Sequence, residues 1–249
     1  MTIKVLVPIS GGKDSQATLK LALQTYPPES VRGLFCDTQF EHPTTYEHIE
    51  ALRTLYGDVQ IDTVCGGSVL EKSIKYGRFP GGGARHCTEE LKIRGARIYY
   101  KSLAEQQGGF EVWLGMRTQE SSEREKRYAG KLDDEIYQPH EVMCKFPKYL
   151  GKMGVRFRLP ICSWSDNDVF AYLCGQENPL YRAGFQRVGC FPCLASGDAW
   201  KEKAYAFDEF GAAQKARVMI VSAQIGQSMW NSKGGKARNE SPGCELCAI

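Results

Sequence analysis

An apolar run from Ile3 to Ile9, interrupted only by Lys4 and Pro8, leads directly into Ser10-Gly11-Gly12-Lys13-Asp14-Ser15. The residues that follow carry apolar side chains at helical spacing: Leu19, Ala22 and Leu23. Buried strand, glycine turn and helix, in that order, place an open helix N-terminus at the carboxyl end of a strand. Two glycines let the backbone curl close to a ligand, the first amides of the helix point at it, and Lys13 adds a positive charge. A phosphate site is therefore expected of Ser10, Gly11, Gly12, Lys13, Asp14 and Ser15. The spacing is not that of a Walker A loop.

The same alternation continues. Val31 to Cys36 reads as a second strand ending at Asp37-Thr38, residues 44–56 as a helix, and Val59 to Val64 as a third strand. A short helix over Ser68 to Tyr76 and a glycine-rich loop to Gly83 precede a helix expected to start with Thr88 as its N-cap. Phe110 to Leu114 is a further strand, delivering Gly115 and Arg117 to the edge where Ser10 and Asp37 lie. This pattern predicts an α/β fold: a parallel, Rossmann-like sheet flanked by helices, with its ligand at the carboxyl ends of the strands. Residues 1–160 are expected to form this nucleotide-binding domain, and 161–249 a helical, cysteine-rich C-terminal region. In the latter, Ser165 to Asp168 starts a capped helix and one long helix is expected from Ala199 to Gln227.

At 249 residues and 42% hydrophobic content the chain can bury a full core, and a formal charge of +3 permits contact with nucleic acid without arguing for it. The N-terminus enters the first strand with no secretory pattern, and no apolar run approaches the ~20 residues of a membrane span. A cytoplasmic protein without a membrane partner is expected, in which ten cysteines suggest metal or redox ligands rather than a disulfide framework. Lys145, Lys148, Lys152, Arg156 and Arg158, interleaved with Phe146, Tyr149 and Phe157, suit a phosphate backbone and stacked bases, or simply a basic surface loop. Residues 122–135 read as a solvated, mixed-charge segment.

The hexapeptide resembles the PP-loop of the ATP pyrophosphatases, which cleave ATP between its α and β phosphates. Further segments resemble the phosphoadenylyl-sulfate (PAPS) reductase family in collinear order: Asp37 to Pro43, Cys87-Thr88-Glu89-Glu90-Leu91-Lys92, Gly115 to Ser121 with Arg124, Pro160 to Trp164 with Asp168-Val169, and Asn178 to Tyr181 followed by Gly189-Cys190 and Cys193. The resemblance covers residues 5 to about 195 and implies the adenine nucleotide α-hydrolase fold. It implies that Lys13 and the Gly11 and Gly12 amides hold phosphates, that Asp37 (with Thr38) takes a ribose hydroxyl or positions Mg2+, and that Arg117, after Gly115, clamps the α-phosphate or a sulfate-like group. Turn-capping for Asp37 and ion pairing for Arg117 are the structural alternatives.

Cys190-x-x-Cys193 and Cys244-x-x-Cys247 have the spacing that lets both thiolates of a pair reach one metal. In iron–sulfur members of the resembled family a cysteine pair stands where this chain has His86-Cys87. The implied ligands are Cys87, Cys190 and Cys193, with Cys244 or Cys247 as the fourth, and both a [4Fe–4S] cluster and zinc suit such donors. Alternatively, a tail cysteine, Cys247, is a nucleophile, as in the reductases. The remaining cysteines, Cys36, Cys65, Cys144, Cys162 and Cys174, read as small packed residues. By resemblance, members that hydrolyse ATP keep Ser-Gly-Gly-Lys-Asp-Ser, whereas the sulfonucleotide reductases carry an altered loop. The expectation is an enzyme binding ATP and Mg2+ that activates an acceptor, tRNA or DNA, for sulfur transfer with a sulfur-donor or reductant protein. A PAPS or APS reductase, or a nucleotide sensor without turnover, is the alternative.

Overall fold

The computed structural model describes residues 2–81 and 85–230. Six strands form one sheet in the order β3-β2-β1-β4-β6-β5: β1 Val5–Ile9, β2 Val31–Asp37, β3 Gln60–Cys65, β4 Glu111–Trp113, β5 Ile136–Tyr137 and β6 Arg156–Arg158. The first four strands and β6 run parallel, and only the two-residue edge strand β5 is antiparallel. The helices are α1 Lys13–Thr25, α2 Pro43–Leu55, α3 Val69–Tyr76, α4 Arg94–Gln107, α5 Ser122–Tyr128, α6 Pro139–Val142, α7 Lys148–Lys152, α8 Asp166–Leu173, α9 Asp198–Tyr205 and α10 Glu209–Ile225.

Alternation along the strands divides the core between the two faces of the sheet. Leu6, Val112 and Phe157 lie in one registered row and pack with Tyr100 and Leu103 of α4. Val5, Val7 and Ile9 pack on the other face with Leu19 and Ala22 of α1 and Ile49 and Leu52 of α2. The order of the sheet reverses at β1: β2 and β3 lie to one side and β4 to the other. The crevice at the carboxyl ends of β1 and β4 is therefore the topological switch point, where open α/β sheets bind ligands.

Several expectations are corrected. Thr88 is not an N-cap, because Cys87 is already helical (φ −59°, ψ −43°) and Thr88–Ile93 forms a π-helical stretch continuous with α4. The region from Ala199 onward is two helices, because the Asp208 carboxylate caps α10 by accepting the Gly211 N–H (2.8 Å), and Gly211 has no room for a Cβ beside the Ala204 carbonyl. The segment 122–135 is not wholly solvated: α5 buries Arg124 and Tyr128. Phe146 and Phe157 of the basic run are core residues, so they cannot stack on bases, and only Tyr149 is exposed. Cys36 and Cys162 are buried as expected, but Cys65, Cys144 and Cys174 are exposed. The strand and helix over 31–76 and the Ser165 cap, with its reciprocal Asp168 bonds, form as expected.

Candidate nucleotide site and adjoining cysteine pocket

The loop after β1 is held from within. The Ser15 hydroxyl donates to the Gly12 carbonyl (2.9 Å) and accepts the Ser10 N–H (3.2 Å). Gly11 has φ +75°, a conformation that disfavours a side chain, and Gly12 caps α1 with no side chain to obstruct its first amides. The Lys13 amide donates to the Tyr181 hydroxyl at 3.0 Å, which ties the loop to the C-terminal region. Burial, with the Asp14 charge adding to it, pushes the Tyr181 phenol upward, so it stays protonated.

Gly115, at the end of β4, lies against α1: a Cβ there would be 2.8 Å from the Asp14 carbonyl. That contact brings Arg117 over the loop. Its Nε donates to Asp14 Oδ1 at 2.6 Å, Nη1 donates to the Trp164 carbonyl at 3.2 Å, and Nη2 pairs with Asp166. The Lys13 ammonium sits 3.0 Å from Asp14 and 2.8 Å from Asp166. Burial alone would raise the Asp166 carboxyl, but hydrogen bonds and charge from Lys13 and Arg117 outweigh it and hold the group below the ordinary carboxylate range. Arg124 pairs with Glu120, whose carboxylate also accepts the Arg117 N–H. These groups, with Gln186, Arg187 and Val188 opposite, line a cavity of about 190 Å3.

Asp37 and Thr38 do not line this cavity. Asp37 Oδ1 accepts from the Gln39 N–H and the Tyr46 hydroxyl, both at 2.7 Å, so it caps a turn. Thr38 donates to buried Glu41 at 2.6 Å and lies 3.3 Å from Cys190 Sγ. Cys87, Cys190 and Cys193 each line a small space of about 20 Å3, which Thr38 and buried Lys92 also line. Burial, then the Glu41 charge, pushes the Cys190 thiol well above its ordinary value. Between the two regions lies a cavity of about 80 Å3. It shares Ser10, Arg187 and Val188 with the loop cavity, and Lys92, Cys190 and Cys193 with the cysteine pocket.

The donor chemistry of three cysteines suits a soft metal or cluster, yet among the described residues no three His, Cys, Asp or Glu side chains gather as a metal site. His86, at the position of the missing cysteine, stacks on Tyr76 with ring centroids 4.8 Å apart and does not line the cysteine pocket. Cys244 and Cys247 lie outside the described residues. Sequence reasoning missed Asp166, Glu41, Lys92 and Arg187. Asp166 looked like a residue of a helix first turn, Glu41 and Lys92 lie inside segments that carry the resemblance but were given no role, and Arg187 carries no local pattern. Among the described residues no helix is long and apolar enough to cross a membrane.

The chain is 27% identical over 239 residues to an uncharacterized 37.8 kDa protein of Escherichia phage 186, with 76% of this chain and 66% of the phage protein matched. It is 29% identical over 194 residues to an uncharacterized protein of Methanocaldococcus jannaschii, with 77% and 36% matched. It is 27% identical over 167 residues to an adenosine 5'-phosphosulfate reductase of Neisseria meningitidis, with 65% and 61% matched. The chain thus spans from about a third to just under two thirds of the length of these relatives. Among solved structures, PAPS reductase from Candida auris in complex with phosphate is similar with a TM-score of 0.48 at 18% identity, over 77% of this chain and 83% of that one. Residues 4–196, most of the chain and all of the sheet, match the phosphoadenosine phosphosulfate reductase domain, and the protein belongs to that family.

Proposed function

We propose that this PAPS reductase-family protein is an ATP pyrophosphatase that adenylates an acceptor and so prepares it for sulfur transfer. The observation that carries the reading is Asp14, a carboxylate set between Lys13 and Arg117 in the first turn of α1. Cations with an interposed carboxylate suit a magnesium–polyphosphate better than a bare anion: Asp14 would hold the metal while Lys13, Arg117 and the loop amides take phosphate oxygens. The metal would neutralise charge developing on the departing pyrophosphate. The acceptor oxygen attacks the α-phosphorus, the bond to the β-phosphate oxygen breaks, and pyrophosphate leaves with the electron pair. The acceptor proton passes to solvent, and a sulfur nucleophile then displaces AMP. An acceptor on tRNA or DNA and a separate sulfur-donor protein complete the proposal.

Incubation with ATP and Mg2+, with and without tRNA or DNA, should yield AMP and pyrophosphate, and Lys13→Ala should abolish both. Pyrophosphate release that survives Lys13→Ala would overturn the assignment of the loop. A second reading, a thiol-dependent sulfonucleotide reductase, is favoured by the middle cavity, whose walls include Ser10 of the loop as well as Cys190 and Cys193. It predicts sulfite from APS or PAPS with a thiol. Tight nucleotide binding with neither product would indicate a sensor.

Cys87, Cys190 and Cys193 are proposed as soft-metal donors completed by Cys244. Anaerobically purified protein is then expected to absorb broadly near ~400 nm if iron–sulfur is held. A colourless protein with about one zinc per chain would assign zinc to the same thiols.

A further inference from the structure

We infer that Asp166 is a built-in counter-anion that occupies the phosphate seat until a polyphosphate displaces it. The inference rests on reading the loop as a polyphosphate site. Four charges meet at that seat, and they differ in exposure. The side chains of Lys13 and Arg117 are 6% and 2% exposed and that of Asp14 is 17% exposed, whereas that of Asp166 is 66% exposed. Arg117 is anchored independently of Asp166, by Asp14 and the Trp164 carbonyl. Lys13 is likewise fixed by Asp14 and is flanked by the rings of Phe170 and Tyr181, 5.7 and 6.0 Å away. One oxygen of Asp166, Oδ1, engages both cations at once, as a phosphoryl oxygen would.

Asp166 can leave at low cost. It is the first residue of α8, whose start is held by the Ser165–Asp168 capping bonds and not by Asp166. Turned toward solvent, its carboxylate is hydrated and remains beside the positive end of the α8 dipole. Lys13 and Arg117 cannot follow it, so they would be left as two desolvated cations converging on one vacated position. Arg187, which lines the same cavity, has no ion-pair partner among the described residues and adds to the field drawing an anion in. A ligand carrying one diffuse charge gains little by the exchange, because it replaces one carboxylate with another. A group with several anionic oxygens gains more, because it satisfies both cations and the loop amides together.

The test is calorimetric titration of inorganic pyrophosphate into the full chain and into Asp166→Asn and Asp166→Ala, in EDTA and in Mg2+, with unfolding curves to establish that the variants are folded. Both variants should bind pyrophosphate about tenfold more tightly than the unsubstituted protein in EDTA, the scale expected for releasing two partly exposed ion pairs. Lys13→Ala should remove binding in each background. Equal or weaker binding by both Asp166 variants in EDTA overturns the inference. So does a loss of affinity confined to Mg2+, which would make Asp166 a metal ligand, and so does absence of pyrophosphate binding in every protein. The ranking of affinities is read whether or not ATP is cleaved, so failure of the adenylation reaction and failure of the counter-anion are separate results.

Discussion

Arg117 makes three different bonds from one guanidinium, to Asp14, to the Trp164 carbonyl and to Asp166. A lysine there keeps the charge but cannot span those partners from a planar fork. Arg117→Lys should therefore lower pyrophosphate release from ATP by about a hundredfold, with unfolding curves establishing that the variant is folded. A second residue-scale effect concerns stability. His48 of α2 bonds Gln16 of α1 through Nε2 at 2.9 Å, while the Gln16 amide group donates to the Tyr56 hydroxyl and the Gln176 carbonyl. Those two donations leave the Gln16 oxygen facing the ring, which fixes Nε2 as the protonated nitrogen. Burial lowers His48 from 6.5 to about 4, with the Glu177 charge opposing it. The folded pKa is depressed, so below pH 6.5 the unfolded chain takes up a proton that the folded chain refuses. Stability is then lost as the pH falls toward 4, by about 3 kcal/mol in all. Urea unfolding at pH 7 and pH 4.5 should show a drop in the unsubstituted protein that His48→Gln largely removes. Parallel pH profiles for the two proteins would count against this role.

At the scale of elements, what could be read from the sequence was what local chemistry specifies. β1, the glycine loop and α1 are contiguous, and the Ser68 and Ser165 caps each announce a helix with a matching acid three residues on. Two helix boundaries depended on distant packing and could not be read. The π-helical stretch at Thr88–Ile93 places Lys92 among the cysteines, which a regular helix counted from Thr88 does not anticipate. The break between α9 and α10 lies inside an apolar pattern that continues without interruption. It forms because Asp208 caps α10 while bonding His42 at 2.8 Å, and because Phe207 packs on Phe185 with centroids 5.1 Å apart. Asp166 was hidden for a related reason: an acid in a first helical turn is ordinary, and only the approach of α8 to α1 and to the segment after β4 gives it two buried cations. Replacing Asp208 with alanine removes both the cap and the histidine partner, and should cost about 1–2 kcal/mol in a urea unfolding experiment. Asp208→Asn keeps a capping oxygen and should recover most of that loss.

Across the whole molecule, the loop cavity, the middle cavity and the cysteine pocket share walls: Ser10, Arg187 and Val188 between the first two, and Lys92, Cys190 and Cys193 between the last two. The shared walls set side by side the two chemistries proposed for the chain, polyphosphate binding at the sheet edge and sulfur chemistry at the cysteines. A nucleotide seated on the loop would therefore screen the cysteines from reagents in solution. Cys193 is half-buried and lines the middle cavity, whereas Cys65, Cys144 and Cys174 are exposed and do not line the loop or middle cavities. Alkylation with iodoacetamide, followed by mass mapping, should modify Cys193 several-fold more slowly when ATP and Mg2+ are present, with the three exposed cysteines reacting at unchanged rates. Lys13→Ala should erase the protection, since the ligand would no longer be held at the loop. Equal labelling of Cys193 with and without nucleotide, under conditions where binding is measured directly, would mean that the phosphate seat and the cysteines act independently despite their shared walls.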